Sequence, residues 1–412
     1  MDPETIRPPV RFFLVGMLLI HVLMFWQLRG YVLAGYPDFT IFYTAGKMVR
    51  EGMASQLYND ALQYDVQLEF ASGVHIRKGN LPYNHPPFEA LLYVPFTYLS
   101  YAVAYILWGL VNAALALCVP LMLRPHLYHL PQLPPYLALS FFPVFISLLQ
   151  GQDAILLMLL FVLAFLAYKR TADFTAGCWL ALALFKFHLV LPLVLILLFN
   201  RRWKLFYGFA AVGTGLVLLS VAIVGWRSAL YYPRYIWFLE KTMGRGAIVP
   251  STMPNFRGLL DTVLGWTRFP TLTNILTTIV SVFLIALAVR CWRQSDPSHP
   301  DRENLAFSLS LLVTVLVSYH AFAYDWTLLL PASLLILNHA VGPNVSDDKV
   351  RRMLLWAIAV LFFTPLYLVL WINFVHLNLM AVVPLFLVYV LVRETRKPTL
   401  SALAPVPALR AS

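Results

Sequence analysis

The run FFLVGMLLIHVLMFWQ, residues 12–27, decides the fold class. A secretory signal is also an apolar stretch, but a small-residue cleavage site comes after it, and none follows here. The run therefore reads as a transmembrane helix. Composition extends that reading to the whole chain. Of 412 residues, 60% are hydrophobic and 12% charged, whereas soluble domains are about half apolar and about a quarter charged. The expectation is an all-α, polytopic integral membrane protein forming a single domain over residues 1–412.

A crossing needs roughly 20 apolar residues per helix. Apolar runs recur near 12–27, 101–123, 136–149, 154–168, 174–185, 189–199, 205–224, 272–292, 305–319, 326–337, 353–371 and 377–392. They predict about 12 transmembrane helices, within a range of about 10 to 13. The runs flanking Lys186 are short and suit a hairpin buried by its neighbours. Basic residues in short loops and at helix ends set orientation. With the N-terminus in the cytoplasm, Arg7, Arg11, Arg124, Lys169, Arg170, Arg201, Arg202, Lys204, Arg290, Arg293, Arg302, Lys349, Arg351, Arg352, Arg393, Arg396 and Lys397 lie on that side, and so does the C-terminus. The opposite turns, 151–153, 320–325 and 372–376, carry no Lys or Arg.

Two long loops, 29–86 and 225–270, are then outside, and the small, Pro-rich tail 398–412 is expected to be mobile in the cytoplasm. From Phe39, the residues Phe42, Tyr43, Gly46 and Val49 recur at helical spacing with Lys47, Arg50 and Glu51 opposite. This pattern predicts an amphipathic interfacial helix along the outer membrane surface. Residues 226–243, with Tyr231, Tyr232, Tyr235, Trp237 and Phe238, predict a second.

Several function classes drop out. The net charge of +11 is scattered in small clusters beside apolar runs, which suits membrane surfaces rather than nucleic acid. Cys118, Cys178 and Cys291 have neither disulfide nor metal-site spacing. No Walker A loop, Rossmann glycine motif, zinc-protease motif or nucleophile elbow is present, which argues against nucleotide-driven pumps and serine hydrolases.

The polar residues that remain are informative. Asp38, in YPDFTIFYTAGK (36–47), suits either a helix N-cap or a general base held at the bilayer rim. His85 in YNHPPFE (83–89) is either part of a proline-fixed turn or a headgroup or sugar contact. Lys186 in ALFKFHL lies amid about 25 apolar residues, where a charge costs several kcal/mol. It either snorkels or binds phosphate, with His188 close by. His320, Tyr324 and Asp325 fall in SYHAFAYDW (318–326), where Asp325 also suits a helix cap. Asn255 and Arg257 lie in MPNFRGL, and Gln152 in the turn 151–153. All of these features fall on one side of the expected topology. Asp38, Asp325 and the histidines have no spacing that requires a metal, and none is expected.

The motifs DFTIFYTAGK (38–47), LYND (57–60), LPYNHPPFEALLYVPF (81–96), GQDA (151–154), AGCWLALALFKFHLVLP (176–192) with RRW (201–203), and SYHAFAYD (318–325) resemble, in order and spacing, glycosyltransferase family 87. This is a bacterial group of the GT-C superfamily of membrane glycosyltransferases. The resemblance implies a polyprenyl-phosphate-sugar donor, a lipid-linked or glycan acceptor at the outer face of the cytoplasmic membrane, and inversion at the anomeric carbon. Asp38 then matches the catalytic base of the first outer loop. The FKFH stretch is similar to the lysine segment of dolichol-linked glucosyltransferases, which implies donor-phosphate contacts from Lys186. The mechanism agrees: a carboxylate takes the acceptor proton, and Lys186, His188, Arg257 and His320 stabilise the departing phosphate. Tyr43, His85, Gln152, Asn255, Tyr324 and Asp325 are expected to contact substrate. Mannose is the default sugar, and no cofactor is expected. The alternatives are a flippase or transporter of lipid-linked saccharides, which would show related halves, and a noncatalytic assembly subunit.

Overall fold

Helices make up every regular element among the described residues of the computed structural model, which are 3–72, 81–241, 250–265, 268–294, 300–372 and 376–395. Arg396, Lys397, the tail 398–412 and parts of both long loops lie outside that set. Five helices, Pro8–Leu33, Tyr101–His126, Trp203–Leu239, Pro270–Gln294 and Leu377–Thr395, are long and apolar enough to cross a membrane. Two bent pairs, Asp173–Leu182 with Leu184–Phe199 and Asp348–Phe362 with Thr364–Ile372, raise the count to at most seven. The chain is an integral membrane protein.

The expectation of about 12 crossings is not reached by helices that meet this test, and the reason is physical. Residues 136–149 form a 3-10 turn, Pro135–Ala138, and then the helix Phe142–Gln150. Its nine residues rise about 14 Å, under half of the roughly 30 Å hydrocarbon core. Ala154–Lys169, Pro300–Val317 and Leu329–Val341 are likewise short or begin with charges, and most of their length is buried by other helices. Protein cover and lipid cover demand the same apolar composition, so hydropathy does not separate them. The outer helices differ: Pro8–Leu33 and Trp203–Leu239 are largely exposed along their apolar faces, as a lipid-facing layer must be.

The first interfacial helix expected from the sequence is real but displaced. Helix α1 (Pro3–Leu33) ends in a turn at Gly35, and α2 (Phe39–Arg50) follows. Nine of its residues, Phe39 through Gly46 and Met48, are buried. The helix packs inside the protein instead of along its surface, because its charges, Lys47 and Arg50, gather in the last turn rather than along one face. Gly46 lets it touch backbone to backbone: a Cβ there would stand 2.8 Å from the Tyr93 carbonyl carbon. The second expected helix continues a membrane helix across a break at Gly225 (φ 78°). It leaves Trp226, Tyr231, Trp237 and Phe238 exposed while burying Tyr235.

Lys186 sits in the break between α3 (Asp173–Leu182) and α4 (Phe187–Phe199). Arg202, just past α4, meets the Asp173 carboxylate at 3.7 Å and donates to the Tyr168 hydroxyl at 2.6 Å. The two ends of the segment are therefore neighbours, and the pair enters and returns. The same end of the molecule collects the Lys169–Glu303 ion pair (2.5 Å), the Arg293 bond to the Phe199 carbonyl (3.0 Å) and the His339–Glu394 pair (3.2 Å). The tip of the hairpin, with Lys186, points to the other end.

Helix α3 packs closely on α5 (Trp203–Lys241) through glycine. A Cβ on Gly177 would lie 1.9 Å from the Leu205 carbonyl oxygen, and one on Gly208 would lie 2.0 Å from that of Phe174. Small residues allow such backbone approach between membrane helices. Gly177→Ala should therefore lower stability by about 1–3 kcal/mol through overpacking. Gly215→Ala, with nothing within 4 Å of its added Cβ, should not. Thermal unfolding of the purified variants in detergent separates the two, and equal melting would refute the close contact.

Candidate active site

Five helix starts among the described residues carry an Asp or Asn at the capping position, and they divide into two kinds. Asn59, Asn255 and Asp347 each accept a hydrogen bond from their own helix, at 3.3, 2.8 and 2.8 Å. Asp38 and Asp153 make no side-chain bond to theirs. Their carboxylates turn instead toward a shared centre.

Asp38 is half-buried and is fixed from the helix Phe142–Gln150 and the turn after it. Its N–H donates to Gln150 Oε1 at 3.2 Å, and its Oδ2 accepts from Gln152 Nε2 at 2.9 Å. The turn is itself locked. Gly151 takes the left-handed conformation (φ 62°), which favours glycine, and a Cβ there would strike the Cβ of Phe39 at 2.6 Å. Trp108 Nε1 donates to the Gly151 carbonyl at 3.0 Å, and Tyr105 donates to the carbonyls of Leu148 and Leu149.

Gln152 passes the connection inward. Its Oε1 accepts from Lys186 Nζ at 3.2 Å. The ammonium also bonds Asp325 Oδ1 at 2.8 Å, meets Asp153 Oδ1 at 3.0 Å, and stands 4.7 Å from the centre of the Tyr324 ring. Lys186 is thus buried but does not snorkel. Asp325 spends its other oxygen on the Phe322 N–H at 2.8 Å, which holds the turn Ala323–Leu328 in shape. Thr327 and Trp326 tie that turn to the carbonyls of Ala154 and Pro254, both at 2.9 Å.

On the far side of Asp153 lie His85 and Glu89. Nδ1 of His85 stands 2.7 Å from Glu89 Oε2 and 3.6 Å from Asp153 Oδ2. Burial lowers the His85 pKa to about 4 despite the pull of Asp153. Burial, reinforced by Asp153, pushes the Glu89 carboxyl well above its usual range. The imidazole is therefore neutral near pH 7, and Glu89 resists ionising beside a second carboxylate.

The other residues expected at the site divide clearly. His188 and His320 pair with rings 5.5 Å apart, one on the segment of Lys186 and the other leading into the turn of Asp325. Arg257, 1% exposed, donates to the Tyr319 carbonyl at 2.9 Å and lies 3.6 Å from the Tyr319 ring centre. Asn255 caps its helix and donates to the Ser318 carbonyl at 2.8 Å, so both of its groups shape the wall. Tyr43 is engaged elsewhere: its hydroxyl donates to the Leu99 carbonyl at 2.8 Å within an aromatic core. Asp153 and Glu89 join the site although their sequence context does not single them out. What signal there is lies in GQDA and in the four-residue spacing from His85 to Glu89, an acid inside an otherwise apolar helix start.

Among the described residues this is an all-helical membrane protein with a buried lysine held between two carboxylates, Asp153 and Asp325. The sequence profile of glycosyltransferase family 87 matches residues 83–319, and the chain belongs to that family. It is accordingly a glycosyltransferase. The matched span contains His85, Gln152, Lys186, His188, Asn255 and Arg257; Asp38, His320, Tyr324 and Asp325 lie outside it. No curated protein and no solved structure matches the chain.

Removing one member of a buried ion pair strands the other. Lys186→Met leaves Asp153 and Asp325 facing each other without a counter-charge, and should cost about 3–5 kcal/mol. Thermal unfolding in detergent measures this, and a variant melting with the wild type would show that the pairing does not hold the site together.

Proposed function

We propose that this glycosyltransferase inverts configuration while moving a hexose, with mannose favoured, from a polyprenyl-phosphate sugar to a lipid-linked or glycan acceptor. The reaction takes place at the outer face of a bacterial cytoplasmic membrane, with both termini in the cytoplasm. One observation carries the reading: Asp38, placed where a cap would sit, gives its carboxylate to Gln152 rather than to its own helix and stays half-exposed. A carboxylate oriented by a neighbour and open to solvent on one side suits a general base.

In the proposed step the acceptor hydroxyl attacks C1 of the donor sugar, the C1–oxygen bond to phosphate breaks, and the hydroxyl proton passes to Asp38. The phosphate leaves with the bonding electrons, and His188, His320, Arg257 and Lys186 are the groups proposed to stabilise it. Asp153 and Asp325 already take up the Lys186 charge, so its proposed part is to fix the wall against which the phosphate rests. Tyr324, Asp325, Gln152 and His85 are proposed to border the sugar. Membrane lipids surround the apolar helices, and no nucleotide enters the scheme.

The test supplies short-chain polyprenyl-phosphate sugars and membrane extract to purified wild type and Asp38→Asn. Loss of general-base catalysis should slow transfer by about 10²–10⁴-fold with unchanged melting. Full transfer by a normally folded Asp38→Asn would remove the base assignment, and transport of lipid-linked saccharide without transfer would favour a flippase.

A further inference from the structure

Of the group formed by His85, Glu89 and Asp153, the scheme above uses His85 beside the sugar and Asp153 only as a partner of Lys186. The group's three ligand-type atoms lie within 4.8 Å of one another. The residues are 8%, 3% and 0% exposed. Asp153 Oδ1 faces the Lys186 ammonium at 3.0 Å, but His85 Nδ1, both oxygens of Glu89 and Asp153 Oδ2 make no hydrogen bond. Glu89 Oε2 approaches His85 Nδ1 to 2.7 Å without hydrogen-bond alignment. Buried polar atoms are rarely left so, because each unsatisfied group costs about 1–3 kcal/mol. Unbonded atoms from three residues gathered this closely call for an occupant that accepts lone pairs.

We propose that His85 Nδ1, Glu89 and Asp153 Oδ2 bind one divalent cation of the Mn²⁺ type. Three observations fit. Ligand atoms at right angles around a cation with bonds of about 2.1 Å stand about 3 Å apart, close to the 2.7 and 3.6 Å found here. Once Glu89 gives up its proton to the arriving cation, two carboxylates and an imidazole carry two negative charges, which a divalent ion balances without disturbing the Lys186–Asp325 pair. Carboxylate with imidazole, and no thiolate, selects Mn²⁺ or its neighbours over soft metals.

The chain also builds the outer supports such a site needs. Tyr58 donates to the His85 carbonyl at 2.9 Å, and Tyr83 donates to the Pro86 carbonyl at 3.0 Å, fixing the backbone that presents the imidazole. Lys186 holds Asp153 by Oδ1 and leaves Oδ2 facing His85. Asp153 does not bond its own helix, which frees it for the cation.

The competing occupant is a single proton shared between Glu89 and Asp153, and metal binding tells them apart. Full-length protein in detergent, stripped with EDTA and dialysed, is titrated with Mn²⁺ and followed by electron paramagnetic resonance. Wild type should bind one Mn²⁺ saturably, and Glu89→Gln and Asp153→Asn should each weaken binding by about tenfold or more. Asp348→Asn, on an exposed surface, should bind as wild type does. No saturable binding, or wild-type binding in both Glu89→Gln and Asp153→Asn, would overturn the proposal. Should either variant fail to fold, the other still decides. The readout is bound metal rather than sugar transfer, so its outcome is independent of the donor and acceptor assigned above.

Discussion

An ammonium in an apolar interior must be answered by negative charge, and this requirement at Lys186 organises the molecule. The lysine is reached from Gln152 and Asp153 on one turn and from Asp325 on another, far along the chain. Attraction between buried ions rises steeply as dielectric falls, but so does the cost of desolvating them. The structure meets that cost by surrounding the charge with three acceptors and an aromatic face. Each partner is then constrained by its own backbone: a left-handed glycine before Gln152, a self-capped turn around Asp325, and the tip of a returning hairpin beneath the lysine.

Gln152 gives this arrangement its direction. A primary amide has one donor end and one acceptor end, and here the donor faces Asp38 while the acceptor faces Lys186. The amide links the half-exposed carboxylate to the paired interior. Asp38 and Asp153 are alike in sequence position, each opening a helix it does not cap. Burial sets them apart: Asp153 is wholly enclosed, and Asp38 is not.

Much of this was legible beforehand, and the misses share a cause. The run 101–123 is the helix Tyr101–Leu123, and 154–168 lies within Ala154–Lys169, because long apolar periodicity specifies a helix whatever covers it. What covers it is tertiary information. Hence α2, whose spacing predicts a surface helix, is buried, and 136–149, whose apolar run predicts a crossing, breaks after a proline-led turn. At the site, polar residues stranded in apolar sequence stood out, Lys186 most of all. Tyr43 and Asn255 stood out equally, yet their hydrogen bonds go to the wall. Glu89 stayed hidden because one acid in a short helix start looks like a favourable dipole contact. Only the approach of Asp153 from 64 residues away in sequence makes it part of a cluster.

The hairpin of α3 and α4 has a consequence for mapping the chain in a membrane. Its ends meet at Arg202, so the segment returns to the end of the molecule from which it starts. A count that scores each apolar run as one crossing therefore gives the wrong parity whenever it treats this segment as a single span, and every later loop would be assigned to the opposite compartment. A hairpin whose ends meet fixes the relation between its two flanks, whichever face of the bilayer they prove to occupy.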